Sequence, residues 1–173
     1  SDGIHANGMT LARRVLLADG AASASHRHDD LGMTVGEELL RPTHIYVPEI
    51  LALLAAGVDV HGLAHISGDG LLNLTRLQAA VSYRIDAMPE IQPVFRLIQE
   101  QGNVELAEMF RVFNMGVGFC VVVPEGDAAA AIAAVRAVGG EITAIGAVVP
   151  GAERRVEVPQ HGLVGRDGRF GPM

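Results

Sequence analysis

Three consecutive stretches restrict the fold more than anything else in the chain. The run "MGVGFCVVVP" is apolar and largely β-branched and is closed by Pro124, the pattern of a buried strand. Directly after it, "DAAAAIAAVRAVGG" is built mostly of alanine, the best helix former, with Asp127 at its start and Gly139-Gly140 at its end. "EITAIGAVV" then returns to a strand pattern. A strand, a helix and a strand in succession bury their apolar faces most simply with the helix layered on a sheet, so the chain is expected to be α/β.

The preceding residues extend the same alternation. "VHGLAHI" and "AAVSYRI" read as strands around a short helix, with the first strand ending at Ile66 and the turn Ser67-Gly68-Asp69-Gly70 leading into the helix from about Leu71. "PVFRLIQEQG" and "VELAEMF" read as two short helices, the first with Val94, Leu97 and Ile98 on one face. The expectation is a mixed sheet of about four strands flanked by helices, α/β with an α+β-like character, in an order that the pattern leaves open.

The ends are less regular. "NGMTLARRVLLADG" predicts a helix capped by Asn7 or Thr10, with Leu11, Val15 and Ala18 on one face and a stop at Gly20. "AASASHRHDDLGMT" has no apolar period and reads as a mobile or surface loop, in which His26 and His28 are solvated rather than metal ligands. In "GEELLRPTHIYVPEILALLAAG", Pro48 suits a first helical turn, Val47, Ile50, Leu51 and Leu54 share a face, and Gly57 ends the helix. The tail, rich in Gly, Pro and Arg, predicts one edge strand, "RRVEV", before fraying. Residues 1–34 thus form a helix and mobile loop, 35–150 the main domain, and 151–173 an edge strand and tail.

Composition excludes several function classes. At 173 residues the chain suits one domain, no apolar run is long enough for a bilayer, and no signal-peptide pattern opens it, so a soluble, cytoplasmic protein is expected. The formal charge is −7 and aromatic residues are 4%, which offers nucleic acid neither a basic stripe nor a stacking platform. All 13 basic residues are arginine, so the chain itself supplies no P-loop lysine and no Schiff-base amine. Cys120 lies in an apolar run, where a buried thiol is the ordinary reading.

Three stretches carry candidate chemistry. In "SDGIHANG", His5 and Asn7 precede a helix and either face a phosphate or carbonyl oxygen together or serve as a cap with an incidental histidine. In "GLAHISGDGLLNL", His65 shares a strand face with Leu63 and opposes Ala64 and Ile66. It is either packed at the strand end or aimed at a ligand held by Ser67, Gly68 and Gly70. In "EMFRVFNMGVGF", the glycine face of the strand accepts a packed helix or a ligand, and Arg111 and Asn114 either bind substrate or form a structural turn.

In this order the chain resembles the C-terminal domain of the aminoimidazole ribotide synthetases, the phosphoribosylformylglycinamidine cyclo-ligases of purine biosynthesis. The resemblance is collinear over residues 1–150 through "SDGIHANGMTLARRVL", "GEELLRPTHIYVPEI", "GLAHISGDGLLNLTR", "GNVELAEMFRVFNMGVG" and "AIGAVVPG". It implies a two-domain enzyme, a homodimer at full length, in which ATP activates the formyl oxygen of formylglycinamidine ribotide as a phosphate ester before an amidine nitrogen closes the imidazole ring. It implies ATP and Mg2+ in the complete enzyme, with much of the nucleotide and metal machinery and the dimer contact on an N-terminal domain outside this sequence, and no metal ligand is assigned here. The expected catalytic residues are His5 and His65, and the expected substrate-binding residues are Asn7, Ser67, Gly68, Gly70 and Asn114. The chain by itself is expected not to turn over.

Departures from that family are Asp69 in place of a third glycine, Thr75 in place of proline and His44 in place of arginine. Rival expectations are another ATP-using member of the superfamily, of the selenophosphate synthetase, thiamine phosphate kinase or hydrogenase-maturation type, and a non-catalytic ligand-binding domain.

Overall fold

The computed structural model describes residues 1–151 and 153–173. In chain order the elements are α1 (Met9–Leu16), α2 (Ala21–Ala24), β1 (Arg27–His28), β2 (Met33–Thr34), α3 (Val35–Leu39), α4 (Val47–Ala55), β3 (Gly62–His65), a 3-10 helix (Gly70–Arg76) and β4 (Val81–Ile85). There follow α5 (Pro93–Gly102), α6 (Leu106–Val112), β5 (Phe119–Val122), α7 (Ala128–Ala137), β6 (Gly146–Pro150), β7 (Val156–Val158), β8 (Leu163–Arg166) and β9 (Arg169–Pro172).

The mixed α/β class is as expected, and all four predicted strands form. They do not lie in one sheet. β3 pairs antiparallel with β5, while β4 joins a five-stranded sheet of order β6-β4-β7-β8-β9. β4 is antiparallel to β6 and parallel to β7. Local periodicity assigns strands but not partners, and here the partners are set by which apolar stripes meet in the core.

The tail departs furthest from expectation. Instead of one edge strand it supplies three, and β7 lies inside the sheet between β4 and β8 with Val156 and Val158 fully buried. Its Gly, Pro and Arg content hides short alternating stripes: Val156 and Val158, then Leu163, then Phe170, all turned inward. Asp167-Gly168 closes the β8/β9 hairpin with φ of 50° and 77°, the left-handed pair that a tight two-residue turn requires.

Two helix faces also differ. In α1 the buried residues are Ala12 and Leu16 rather than the Leu11, Val15 and Ala18 face. The N-cap is Gly8, at φ 64°, with no side-chain cap from Asn7 or Thr10. In α4, Pro48 sits in the first turn and Gly57 follows the end as expected, but the buried residue is Leu53. Val47, Leu51 and Leu54, of the face read as core, are 59%, 59% and 54% exposed. The helix is apolar on both sides, and α7 covers only the Leu53 side, through Ala131 and Val135. The segment read as a loop contains α2 and the small β1/β2 hairpin, after which Thr34 and Glu37 form a capping box for α3.

The main core is filled by Phe95, Phe110, Phe113, Ile66, Leu71, Ile98 and Met109, all fully buried. Val94, Leu97 and Ile98 face it from α5 as the spacing predicts. Among the described residues no helix is long and apolar enough to cross a membrane.

Candidate functional site

The three stretches of candidate chemistry meet at one end of the β3/β5 pair. Antiparallel pairing sets His65 opposite Phe119, and the Ile66 N–H donates to the Gly118 carbonyl at 2.9 Å. The turn leaving β3 and the turn entering β5 therefore lie side by side. Asn114, 0% exposed, ties the N-terminal segment to them. Its Nδ2 donates to the Gly3 carbonyl at 2.9 Å, while its Oδ1 accepts from the Gly116 N–H at 2.9 Å and the Ser1 hydroxyl at 2.7 Å. Among the described residues six other than glycine have positive φ, and four of them lie in these turns: His5, Ala6, Asp69 and Met115. Each costs about 1–3 kcal/mol, so backbone strain is concentrated where the stretches converge.

His5 is buried, and its Nε2 lies 2.5 Å from Asp2 Oδ1. With Nε2–H donated to the carboxylate, the neutral ring keeps its lone pair on Nδ1, which is buried and has no partner among the described residues. A carboxylate that orients an imidazole leaves the other nitrogen able to take a proton. At Asp2, burial pushes the carboxyl upward, but the His5 hydrogen bond, its own backbone N–H and the charges of His5 and Arg41 together hold it below the usual carboxylate range. The Arg41 guanidinium donates to the Asp2 carbonyl and pairs at 3.1 Å with buried Glu38, whose carboxyl burial pushes up despite that partner.

His65 is exposed, on the face of β3 that also carries Leu63, while Ala64 and Ile66 point inward as expected. Its ring stacks on Phe119 at 6.1 Å and 25°. Tyr46 stands in the middle of this group, with ring centroids 6.5 Å from His5, 6.1 Å from His65, 5.1 Å from Phe119 and 4.7 Å from His44. His44 Nε2 lies 2.6 Å from Glu49 Oε1. Beside the group runs a groove of about 400 Å³ lined by Tyr46, Ile50, Leu51, Leu63, His65 and Phe119.

The Ser67–Gly70 turn is held from within. Buried Asn73 donates through Nδ2 to Ser67 Oγ at 3.1 Å and to the Gly68 carbonyl at 3.2 Å. Gly68 has open space around it. Gly70 does not: at φ 55° an added Cβ would overlap the Phe110 carbonyl oxygen and lie 2.7 Å from that of Phe113. This glycine admits the end of α6. The Asp69 carboxylate is turned away to Arg76, at 2.6 Å. Asn7 Nδ2 donates to the His5 carbonyl at 3.1 Å and so steadies the turn that presents the imidazole.

Sequence reasoning missed Asp2, Tyr46 and Asn73, whereas Gly118 belongs to the glycine face read as open to close approach, which the Tyr46 hydroxyl takes up. Asp2 and His5 are three residues apart, a spacing that was legible, whereas Tyr46 reaches the site only through the packing of α4. Cys120 is buried, and burial pushes its thiol up to about 12, so it stays protonated. His26 and His28 lie edge to face with centroids 6.3 Å apart, away from these residues in the β1/β2 segment. Among the described residues no group of three or more His, Cys, Asp or Glu comes together as a metal site.

Comparison with known proteins agrees with the sequence resemblance. A family model described as AIR synthase related protein, C-terminal domain, matches residues 1–159. The chain is 54% identical over 127 residues to a phosphoribosylformylglycinamidine cyclo-ligase of Methanothermobacter thermautotrophicus, covering 73% of this chain and 37% of that protein. For the proteins of the same description from Methanobrevibacter smithii and Methanopyrus kandleri, identity is 48% over 128 residues and 49% over 130. Each match covers 74% of this chain and, respectively, 38% and 36% of the relative. The crystal structure of tt0281 from Thermus thermophilus matches with a TM-score of 0.48 and 25% identity, over 72% of this chain and 38% of that one. The chain thus spans little more than a third of the length of the curated relatives it matches. Matched over residues 1–159, the chain belongs to the AIR synthase related protein family, as its C-terminal domain.

Proposed function

We propose that this chain is the ribotide-binding part of a phosphoribosylformylglycinamidine cyclo-ligase of purine biosynthesis, the ATP-dependent ligase that converts formylglycinamidine ribotide to aminoimidazole ribotide. The observation that carries this reading is the Asp2–His5 pair with its unpartnered Nδ1, set at one end of the β3/β5 pair together with His65. Ring closure forms a bond from the amidine nitrogen to the formyl carbon and breaks the bond from that carbon to its phosphorylated oxygen, which leaves as phosphate. The attacking nitrogen must lose a proton. His5 Nδ1 takes it, and the Asp2 carboxylate stabilises the imidazolium that results. His65, on the exposed face beside the groove, hydrogen-bonds the formyl oxygen or its phosphate.

Asn7, Ser67 and Gly68 face polar groups of the ribotide. Asn114 and Gly70 act as positioning residues, because the first is engaged with Gly3, Gly116 and Ser1 and the second is packed on Phe110 and Phe113.

Among the described residues no group of three or more His, Cys, Asp or Glu comes together, and the sequence has no lysine to meet a triphosphate. ATP and Mg2+ are assigned to a partner domain of the kind that fills the remaining length of the relatives, in an enzyme that is a homodimer when complete. The bare side of α4, bordering the groove, is the surface that such a domain covers.

The test is calorimetric titration with formylglycinamidine ribotide and, separately, with a non-hydrolysable ATP analogue. Wild type is expected to bind the ribotide and not the analogue, and His5→Ala and His65→Ala to weaken ribotide binding at least tenfold. Ribotide binding untouched by both substitutions would sink the assignment.

A further inference from the structure

Tyr46 has a feature that packing alone does not require. Its hydroxyl oxygen is sealed from solvent and has no hydrogen-bond partner among the described residues. A buried hydroxyl left unpaired loses its bonds to water without replacement, and phenylalanine would fill the same volume without that cost. The hydroxyl rests against Gly118, where an added Cβ would overlap it. Gly118 is also the residue whose carbonyl accepts from Ile66 N–H, one position beyond His65. The hydroxyl is thus placed where β3 leaves and β5 enters, and a glycine clears the space for it.

A second unpaired buried atom, His5 Nδ1, belongs to the ring 6.5 Å away on the other side. One is a donor and the other an acceptor. Tyr46 also forms a wall of the groove that His65 and Phe119 line.

We propose that Tyr46 is a third ligand-contacting residue of this site, its hydroxyl donating a hydrogen bond to a carbonyl or phosphate-ester oxygen of the ribotide held between His5 and His65. This rests on the reading of the site as a ribotide site and adds to it a donor complementary to the His5 acceptor. Burial, reinforced by Asp2 and Glu49, pushes the phenol up to about 12, so the group remains a donor throughout the neutral range.

The test is Tyr46→Phe, read in two ways on the whole chain. Without ligand, the melting temperature is expected to stay level or rise, because an unpaired hydroxyl is removed; a fall of several degrees would show that the hydroxyl already has a partner at rest and would overturn the proposal. In calorimetric titration with formylglycinamidine ribotide, the dissociation constant is expected to rise at least tenfold. If wild type binds, His5→Ala and His65→Ala weaken binding, and Tyr46→Phe binds like wild type, this proposal alone falls. If wild type takes up no ribotide, the ribotide reading and this proposal fall together.

Discussion

At the scale of single residues, Gly70, Asn114 and Asp2 hold the candidate site for different reasons. Gly70 has both a positive φ and the Phe110 carbonyl where a side chain would go, so no rotamer relieves the strain of Gly70→Ala. That substitution is expected to cost about 2–4 kcal/mol in chemical denaturation. Asn114→Ala removes one donor and one acceptor serving three bonds, leaving the Gly116 N–H unpaired in the interior and the Gly3 carbonyl with only the Ser1 hydroxyl, at 3.2 Å. A loss of roughly 2–4 kcal/mol is expected, with faster amide exchange at Ile4 and His5 as residues 1–8 loosen. Asp2 sets a pH dependence. Its carboxyl titrates lower in the folded chain than in the unfolded one, so the stability it adds is present above the ordinary carboxylate range and disappears as pH falls through the depressed folded value. In acid titrations of stability, Asp2→Asn should flatten that limb.

The element that most invites experiment is α4. Leu53 is its anchor against α7, and Leu53→Ala is expected to cost about 2–5 kcal/mol, as for other fully buried leucines. On the opposite side, serine at Val47, Leu51 and Leu54 together should shift the unfolding midpoint little, because exposed positions usually contribute within about 0.5 kcal/mol each. The triple variant should nevertheless bind less of a hydrophobic dye. A large loss of stability instead would mean that these side chains are already covered in the chain as it stands.

For the whole molecule, residues 156–172 complete the second sheet. β7 takes β4 as a parallel neighbour, and Phe170 of β9 meets Phe110 of α6 with centroids 5.8 Å apart. Truncation after Pro150 would expose a long edge of β4 and empty the places of Val156, Val158, Leu163 and Phe170. Such a chain is expected to lose cooperative thermal unfolding and to aggregate, whereas a merely frayed tail would leave the transition unchanged.

The sequence by itself determined the α/β class, the positions of the four strands between residues 62 and 150, the buried face of α5, the turn from Ser67 to Gly70 and the places of His5 before a helix and His65 at a strand end, because each is written in local periodicity, turn chemistry or residue type. It also held a hairpin signal at Asp167-Gly168, masked by the composition around it. Only the tertiary structure decided that the strands divide between two sheets, that β7 is internal and that α4 turns its leucines outward. It alone brought Asp2, His5, Tyr46, His65 and Asn114 to one end of the β3/β5 pair. Those outcomes depend on which apolar surfaces bury one another and which polar groups find partners across more than a hundred residues of chain, as Asn114 does with Gly3. A side chain such as Tyr46 carries no local mark of the neighbours that packing will give it.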